Sequence, residues 1–275
     1  MEHFSAIVLW IAFLLYCGAF AMFVVHMIAR HDALNRLGMW LVAAGWVLQT
    51  VALVTRGVSA GHFPVVGGYE SLNAVAWSVV AVYLVVEIFT RVKAVGLYVT
   101  PVVIALLTGA LVAYEAPQDL MPALRSDIVV LHVIVMLTAV GALYVAGGAA
   151  LIYLFEEWQL KRRHLGGLLG RLPSLATLDR LVYHATLLGL PFLTMGMAAG
   201  VIRAETFDVE EWWFDPMVLL SGGAWAVYAL LLWGRVRGDW GGRRVAYLAV
   251  AGLMLLLVIR FAAVPYLSGF HTYGG

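Results

Sequence analysis

Long apolar stretches alternate with short polar segments along nearly the whole chain. A helix that crosses a membrane needs about 20 apolar residues, because the hydrocarbon core is about 30 Å thick and each residue adds about 1.5 Å. Stretches of that length predict eight membrane-spanning helices, at residues 5–29, 36–56, 71–91, 95–114, 127–155, 181–202, 216–234 and 245–266. The fifth stretch continues past Ile152 into a polar run, so we expect that helix to protrude beyond the bilayer.

The composition agrees with this pattern. Of the 275 residues, 63% are hydrophobic and 12% are charged, whereas a soluble domain carries about 25% charged residues. We therefore predict an all-α integral membrane protein in which residues 1–275 form a single polytopic membrane domain in the lipid bilayer. The net charge of +1 gives no support for nucleic-acid binding. The first apolar run is too long for a signal peptide and should stay as a helix.

Arginine and lysine are distributed unevenly between the two predicted sides of the membrane. Thirteen of them follow helices one, three, five and seven, and three lie on the opposite side. Cytoplasmic loops are enriched in these two residues. We therefore expect both termini on the non-cytoplasmic side, where the loops are acidic.

Two histidines fall on this outer side, near an aromatic and acidic segment. His132 lies five residues into the fifth predicted helix and His271 follows the eighth, while Glu210–Pro216 between them contains Trp212 and Trp213. Imidazole is a common ligand of haem iron, so the two histidines could hold a haem that these aromatic rings cover. Alternatively, His132 hydrogen-bonds a neighbouring helix, His271 belongs to a disordered chain end, and the tryptophans form an interfacial belt.

Arg260 is the most informative single charge, because it lies inside the last apolar span, where ionisable groups are costly and usually functional. Arg260, Arg125 or Arg56 could pair with the two carboxylates of a haem; alternatively, Arg260 extends to the outer interface. His26 and His184, near the inner ends of their helices, could form a second pair or only anchor those helices. A zinc site fits poorly, because no cysteine or carboxylate has the spacing that would complete a tetrahedral set.

These residues resemble the haem-handling cytochrome c assembly proteins of the CcsA/ResC type, which have HemX-like membrane proteins as relatives. The resemblance rests on segments 61–64, 69–72, 131–133, 157–163, 172–175, 178–180, 193–196, 212–216 and 269–274, together with Trp77. It implies that His132 and His271 are the outer ligands of haem b. It also implies that Trp212, Trp213 and Asp215 belong to the tryptophan-rich WWD segment, which cradles haem on the outer face.

The resemblance implies a role in cytochrome c maturation in the inner (cytoplasmic) membrane. The chain would present haem, with a ResB/CcsB-like membrane protein, for thioether attachment to the two thiols of an apocytochrome c. It would then be a possible subunit of a cytochrome c synthase. Its single cysteine, Cys17, gives it no thiol chemistry for this step, so its contribution would be to orient the haem. A HemX-like haem-binding or regulatory protein, and a structural subunit that has lost haem, remain alternatives.

The chain departs from the family pattern at three places, one of which is the second loop, where Gly67 or Gly68 stands in the place of an asparagine. After Asp215 and Pro216 the family continues with Lys-Glu-Thr-Trp, whereas this chain reads Met217-Val218-Leu219-Leu220. In the seventh helix, Trp233 stands where the family has a histidine before an arginine. These departures argue against the usual inner haem site and favour the HemX-like alternative, while the retained His132 and His271 favour the assembly role.

Overall fold

A computed structural model describes residues 2–29, 31–90, 95–115, 127–162, 174–206 and 211–262. The regular structure in these ranges is entirely helical. A 3-10 helix of three residues, Trp212–Phe214, stands between the sixth and seventh α-helices. The α-helices are α1 (Glu2–Ala29), α2 (Asp32–Ala60), α3 (Gly67–Thr90), α4 (Val95–Val112), α5 (Asp127–Lys161), α6 (Leu175–Thr206), α7 (Pro216–Arg237) and α8 (Arg243–Val258).

All eight of these helices are long and apolar enough to cross a membrane, counting the turns at 259–262 with α8. The predicted all-α fold with about eight spanning helices is therefore confirmed for the described part of the chain. Helix α5 is 35 residues long and ends at Lys161, which confirms the predicted extension past Ile152. Several helices begin before the apolar stretches, because polar first turns such as Asp32–Arg36 are helical without being apolar.

The chain divides into two compact units, and the boundary lies within α5 between Phe155 and Glu156. Helices α1–α4 belong to the first unit, together with the end of α5. The rest of α5 and helices α6–α8 form the second unit.

In the first unit, α1 packs on α2 and α4, and α3 packs on α2 and α4. Buried polar side chains join three of these helices. The Tyr16 hydroxyl donates to Gln49 Oε1 over 2.7 Å, and Gln49 Nε2 donates to the side-chain and main-chain oxygens of Asn73 over 2.8 and 3.0 Å. Because these amide groups are paired with one another, the network holds α1, α2 and α3 together within an apolar surround.

A buried ion pair fixes the loop between α2 and α3. Arg56 Nε lies 2.7 Å from Glu70 Oε1, and both side chains are only 2% exposed. Arg56 Nη2 also donates to the Glu115 carbonyl, while the carboxylates of Glu70 and Glu115 accept the backbone N–H groups of Val66 and Gly68. Arg56, which the sequence offered as a partner for haem carboxylates, is thus bound to groups of its own unit.

In the second unit, α7 packs on α6 and α8, and α6 also contacts α8. Asp179 joins all three helices at one end. Its carboxylate accepts from Arg235 Nη2 of α7 over 2.5 Å and from the backbone N–H of Gly242, which precedes α8, over 2.8 Å. Arg235 Nη1 donates in turn to the Trp240 carbonyl. The start of α6, the end of α7 and the start of α8 are therefore tied to one carboxylate.

Candidate functional site

His132 lies five residues after the start of α5, and its imidazole faces α6. Its Nδ1 lies 2.7 Å from the carbonyl oxygen of Gly196. Because a carbonyl only accepts, Nδ1 carries the proton and the lone pair of the neutral ring is on Nε2. Among the described residues, Nε2 has no hydrogen-bond partner. The side chain therefore bonds a neighbouring helix and still offers the nitrogen that ligates metals.

Two glycines one turn apart on α6 let α5 approach closely, Gly200 beside the imidazole and Gly196 beside Met136. A Cβ built on Gly200 would lie 3.2 Å from Cε1 of His132, and one built on Gly196 would overlap the Met136 thioether. The G-x-x-x-G spacing of small residues is common where membrane helices approach closely. It lets α6 bring its backbone carbonyl within hydrogen-bonding distance of α5.

An apolar cavity opens beside His132, between α5, α6, the 3-10 helix and α7. Its lining is mostly apolar and includes the thioethers of three methionines and the imidazole of His132. The volume of about 70 Å³ admits only part of a group as large as a haem, so such a group would also lie against the surface at the mouth. The lining residues are His132, Met136, Met197, Gly200, Val201, Ala204, Trp212, Met217, Val218 and Ser221.

The aromatic segment contributes one ring to the cavity and two to the surface beside it. Trp212 lines the cavity, and its Nε1 donates to Glu205 Oε1 over 2.9 Å. Trp213 packs edge-on against Trp212 with ring centres 5.7 Å apart. Trp213 and Phe214 are 50% and 67% exposed. An exposed apolar surface therefore continues from the cavity wall.

Asp215 begins α7. Its Oδ1 accepts the backbone N–H of Met217 over 2.8 Å, and Pro216 occupies the first helical position. An aspartate followed by a proline is a common way to start a helix. The Asp-Pro pair thus orients the first turn of α7, from which Met217 and Val218 reach the cavity.

The structure does not bring every predicted site residue to this cavity. Arg260 follows α8 in a π-helical turn, is half-buried, and has the Tyr144 hydroxyl among its electrostatic neighbours. It is not among the residues that line the cavity, and its part in cofactor binding stays a prediction. Arg125 and His271 lie outside the described residues.

The two inner histidines belong to different units, His26 to the first and His184 to the second. The Nδ1 of His184 bonds the Arg180 carbonyl of its own helix over 2.8 Å. Trp233 is 60% exposed. Its ring packs edge-on against Trp240. An inner haem site stays a prediction.

The sequence did not predict several of the residues that line the cavity, namely Gly200, Met217 and Ser221. The Gly196–Gly200 spacing inside an apolar helix was a visible signal of close helix approach. Methionine and serine inside apolar runs carry no comparable signal, since both are common in membrane helices. Within the described ranges, no three His, Cys, Asp or Glu side chains converge as metal ligands.

The sequence matches the family model described as Cytochrome C assembly protein over residues 65–271. Three relatives share the name Cytochrome c biogenesis protein CcsA. The one from Gloeobacter violaceus is 28% identical over 89% of this chain and 88% of the relative. The one from Guillardia theta is 30% identical over 82% of this chain and 81% of the relative. The one from Prochlorococcus marinus (strain MIT 9303) is 31% identical over 85% of this chain and 83% of the relative. The matched segment includes His132, the aromatic segment and His271.

Proposed function

Because the chain belongs to the cytochrome c assembly protein family, we propose that it handles haem during cytochrome c maturation. It binds haem b on the outer face of the cytoplasmic membrane. With a ResB/CcsB-like partner, it presents that haem for thioether attachment to apocytochrome c. The observation that carries this proposal is the His132 imidazole, whose Nδ1 is held by Gly196 while Nε2 has no partner among the described residues.

The residues around His132 suit a haem. Iron takes a neutral imidazole nitrogen as ligand, and a hydrogen bond from the other ring nitrogen to a carbonyl fixes the ring and increases its basicity. The macrocycle is flat and apolar, which suits the methionine-lined wall and the exposed rings of Trp213 and Phe214. When bound, the haem supplies the vinyl groups that receive the thiols of the apocytochrome.

His271 is the proposed second ligand. This assignment rests on the resemblance of segment 269–274 to the family's terminal motif, and the family match extends to residue 271. His132, which is anchored within α5, and His271 would together hold the iron.

The remaining site residues have supporting roles in this proposal. Trp212 and Trp213 cover the macrocycle, and Asp215 holds the helix that begins beside it. Arg260 pairs with a haem carboxylate, as a guanidinium does well. The chain has a single cysteine, Cys17, so the two thiols that react would belong to the apocytochrome. The chain contributes orientation, as a subunit of a cytochrome c synthase.

The distribution of charged residues supports the proposed orientation of the chain in the membrane. Thirteen basic residues lie on one predicted side against three on the other, which supports a cytoplasmic location for the first set and non-cytoplasmic termini. On this orientation, His132 lies near the outer end of α5.

One alternative function is supported by a specific observation. Trp233 occupies the position of the family's membrane histidine, and its side chain is 60% exposed. A chain without an inner haem site is compatible with a HemX-like haem-binding or regulatory protein that matures no cytochrome. A structural subunit that has lost haem is the third possibility.

The experiment that tests the proposal is the absorption spectrum of the purified chain, oxidised and reduced. The protein is produced in cells that make haem and purified in mild detergent. A Soret band with the sharp reduced bands of six-coordinate haem supports haem handling. A featureless spectrum contradicts it and leaves the structural subunit. Co-expression with a ResB-like partner and an apocytochrome then separates the first two functions, since only an assembly protein yields covalent haem.

A further inference from the structure

Three methionines line the same cavity as His132. Met136 follows His132 by one turn of α5, Met197 belongs to α6, and Met217 lies in the first turn of α7. Four side chains that can ligate a metal thus come from three helices to one space. Its volume of about 70 Å³ exceeds the roughly 10–15 Å³ that one water molecule requires. The cavity therefore has room for a single ion.

Helix α5 places two of these side chains on one face. His132 and Met136 are four residues apart, and side chains at this spacing are neighbours on a helix surface. Zinc-binding helices carry two metal ligands at the same spacing. The Nδ1 of His132 is bonded to the Gly196 carbonyl, and Nε2 has no hydrogen-bond partner among the described residues. The ring is fixed through one nitrogen and can ligate through the other.

The other two methionines come from the facing helices. Met197 is the residue after Gly196, whose carbonyl holds the imidazole. Met217 lies in the turn that the Asp215 carboxylate caps, with its backbone N–H 2.8 Å from Oδ1. Methionine has three rotatable side-chain bonds and a polarisable sulfur. The sulfur atoms of separate helices can therefore adjust to a common ion while the backbone stays in place.

The chemistry of this set selects a soft, singly charged metal ion. Thioether and imidazole ligands suit copper(I), whereas magnesium and calcium require oxygen ligands. All four side chains are uncharged when the imidazole is neutral, and the lining is mostly apolar. A divalent ion would keep its whole double charge in this space, and the cost of burying an ion rises with its charge. A monovalent ion is therefore favoured.

A carboxylate lies one side chain away from the cavity. Trp212 lines the cavity, and its Nε1 donates to Glu205 Oε1 over 2.9 Å. A negative charge at this place attracts cations from the solvent and partly compensates a positive ion bound nearby.

We propose that His132, Met136, Met197 and Met217 form a binding site for one copper(I) ion. This inference goes beyond the proposed function. It applies to the haem-free chain, because the Nε2 atom of His132 cannot ligate copper and haem iron at the same time. Copper(I) therefore competes with haem for this imidazole.

The test measures copper(I) binding to the haem-free, full-length protein in detergent, without oxygen and in competition with a chromogenic copper(I) chelator. Every protein carries Cys17→Ser, which removes the chain's single thiol. The parent is compared with Met217→Leu and with the triple variant Met136→Leu, Met197→Leu, Met217→Leu. Leucine is apolar and of similar volume, so the fold is retained. Met195→Leu is the control, because Met195 is 57% exposed on α6 and is not among the lining residues.

We expect one copper(I) ion per chain, with sulfur and nitrogen neighbours in copper K-edge X-ray absorption and no comparable binding of zinc(II). Met217→Leu should weaken the affinity by about tenfold or more, since loss even of groups that only support a ligand costs 10–100-fold. The triple variant should lose the ion, and Met195→Leu should match the parent. No bound copper in the parent, unchanged affinity in either cavity variant, a copper ion without sulfur neighbours or equal affinity for zinc(II) overturns the site.

Haem binding is measured separately, from the Soret absorbance of the same chain produced in cells that make haem. Haem binding without copper(I) binding overturns the copper site alone and leaves the proposed function. Copper(I) binding by a chain that takes up no haem overturns the proposed function and leaves the copper site.

Discussion

The Nδ1 atom of His132 and the carbonyl oxygen of Gly196 lie 2.7 Å apart, and this contact determines which nitrogen of the ring can bind a metal. The bond fixes the proton on Nδ1 and leaves the Nε2 lone pair for a ligand. A Cβ at position 196 would overlap the thioether of Met136, so that this side chain or the helix would have to shift. The Gly196 carbonyl therefore links α6 to α5 and also determines which nitrogen of the His132 ring is free to bind a metal.

Replacing His132 by alanine should lower the haem content of the purified protein by about tenfold or more, since loss even of groups that only support a ligand costs 10–100-fold. Added imidazole should restore part of it by supplying the missing nitrogen. The measurement is the ratio of Soret absorbance to protein. His3→Ala, at an exposed position of α1, is the control and should keep full haem content. Equal haem in both variants would contradict the ligand assignment.

Replacing Gly196 by alanine should destabilise the protein by about 1–3 kcal/mol, the usual cost of forcing extra atoms into a packed interior. Gly148 of α5 is a matched control, because a Cβ there meets no atom within 4 Å. Gly148→Ala should be neutral or stabilise by up to about 1 kcal/mol through helix propensity. Thermal unfolding in detergent measures the difference. Equal midpoints for the two variants would show that α6 does not approach α5 so closely.

Replacing Glu70 by alanine should cost about 3–5 kcal/mol, because it leaves the buried Arg56 guanidinium without its counter-charge. The double variant Arg56→Met with Glu70→Leu should be more stable than Glu70→Ala, since no charge is left buried. Denaturation in detergent gives both values.

The haem content of the double variant distinguishes a purely structural role of Arg56 from a direct role in haem binding. Because Arg56 is bound within the first unit, the double variant should keep its haem. A selective loss of haem from a well-folded double variant would mean that Arg56 serves the cofactor after all.

Replacing Asp215 by alanine should destabilise α7 by about 0.5–2 kcal/mol, the usual cost of losing an N-cap. Asp215→Ser keeps a capping oxygen and should retain both stability and haem. Unfolding midpoints and Soret absorbance are read on the same samples. If Asp215→Ser folded normally and lost its haem, the carboxylate would have to act on the cofactor directly.

Reporters fused to the C-terminus should report the non-cytoplasmic side. This outcome follows from the thirteen-to-three distribution of basic residues. A fusion after Arg237, at the end of α7, is the comparison and should report the cytoplasmic side. Reversed results would overturn the orientation and the assignment of His132 to the outer side.

The sequence predicts the helices well because each membrane span is encoded in one continuous apolar stretch. The approximate depth of His132 in α5 and its place on the side of Trp212 followed from the same pattern. The contact with Gly196, the Asp215 cap and the Arg56–Glu70 pair could not be predicted, because they depend on how the turns and helices pack. The cavity wall at Met217 was invisible for the same reason. Whether residues 1–275 act as a single domain stays a prediction.

The Asp179 carboxylate has a mechanical consequence for the cavity. It ties α6, α7 and α8 at one end, while Gly200 and Met217 lie toward the opposite ends of α6 and α7. The distance along α6 from Asp179 to Gly200 is about 30 Å at 1.5 Å per residue. A tilt of about 5° around the tied end would therefore displace the far end by about 3 Å over this helix length. Such a tilt would widen the cavity mouth and would leave the hydrogen bonds of Asp179 in place.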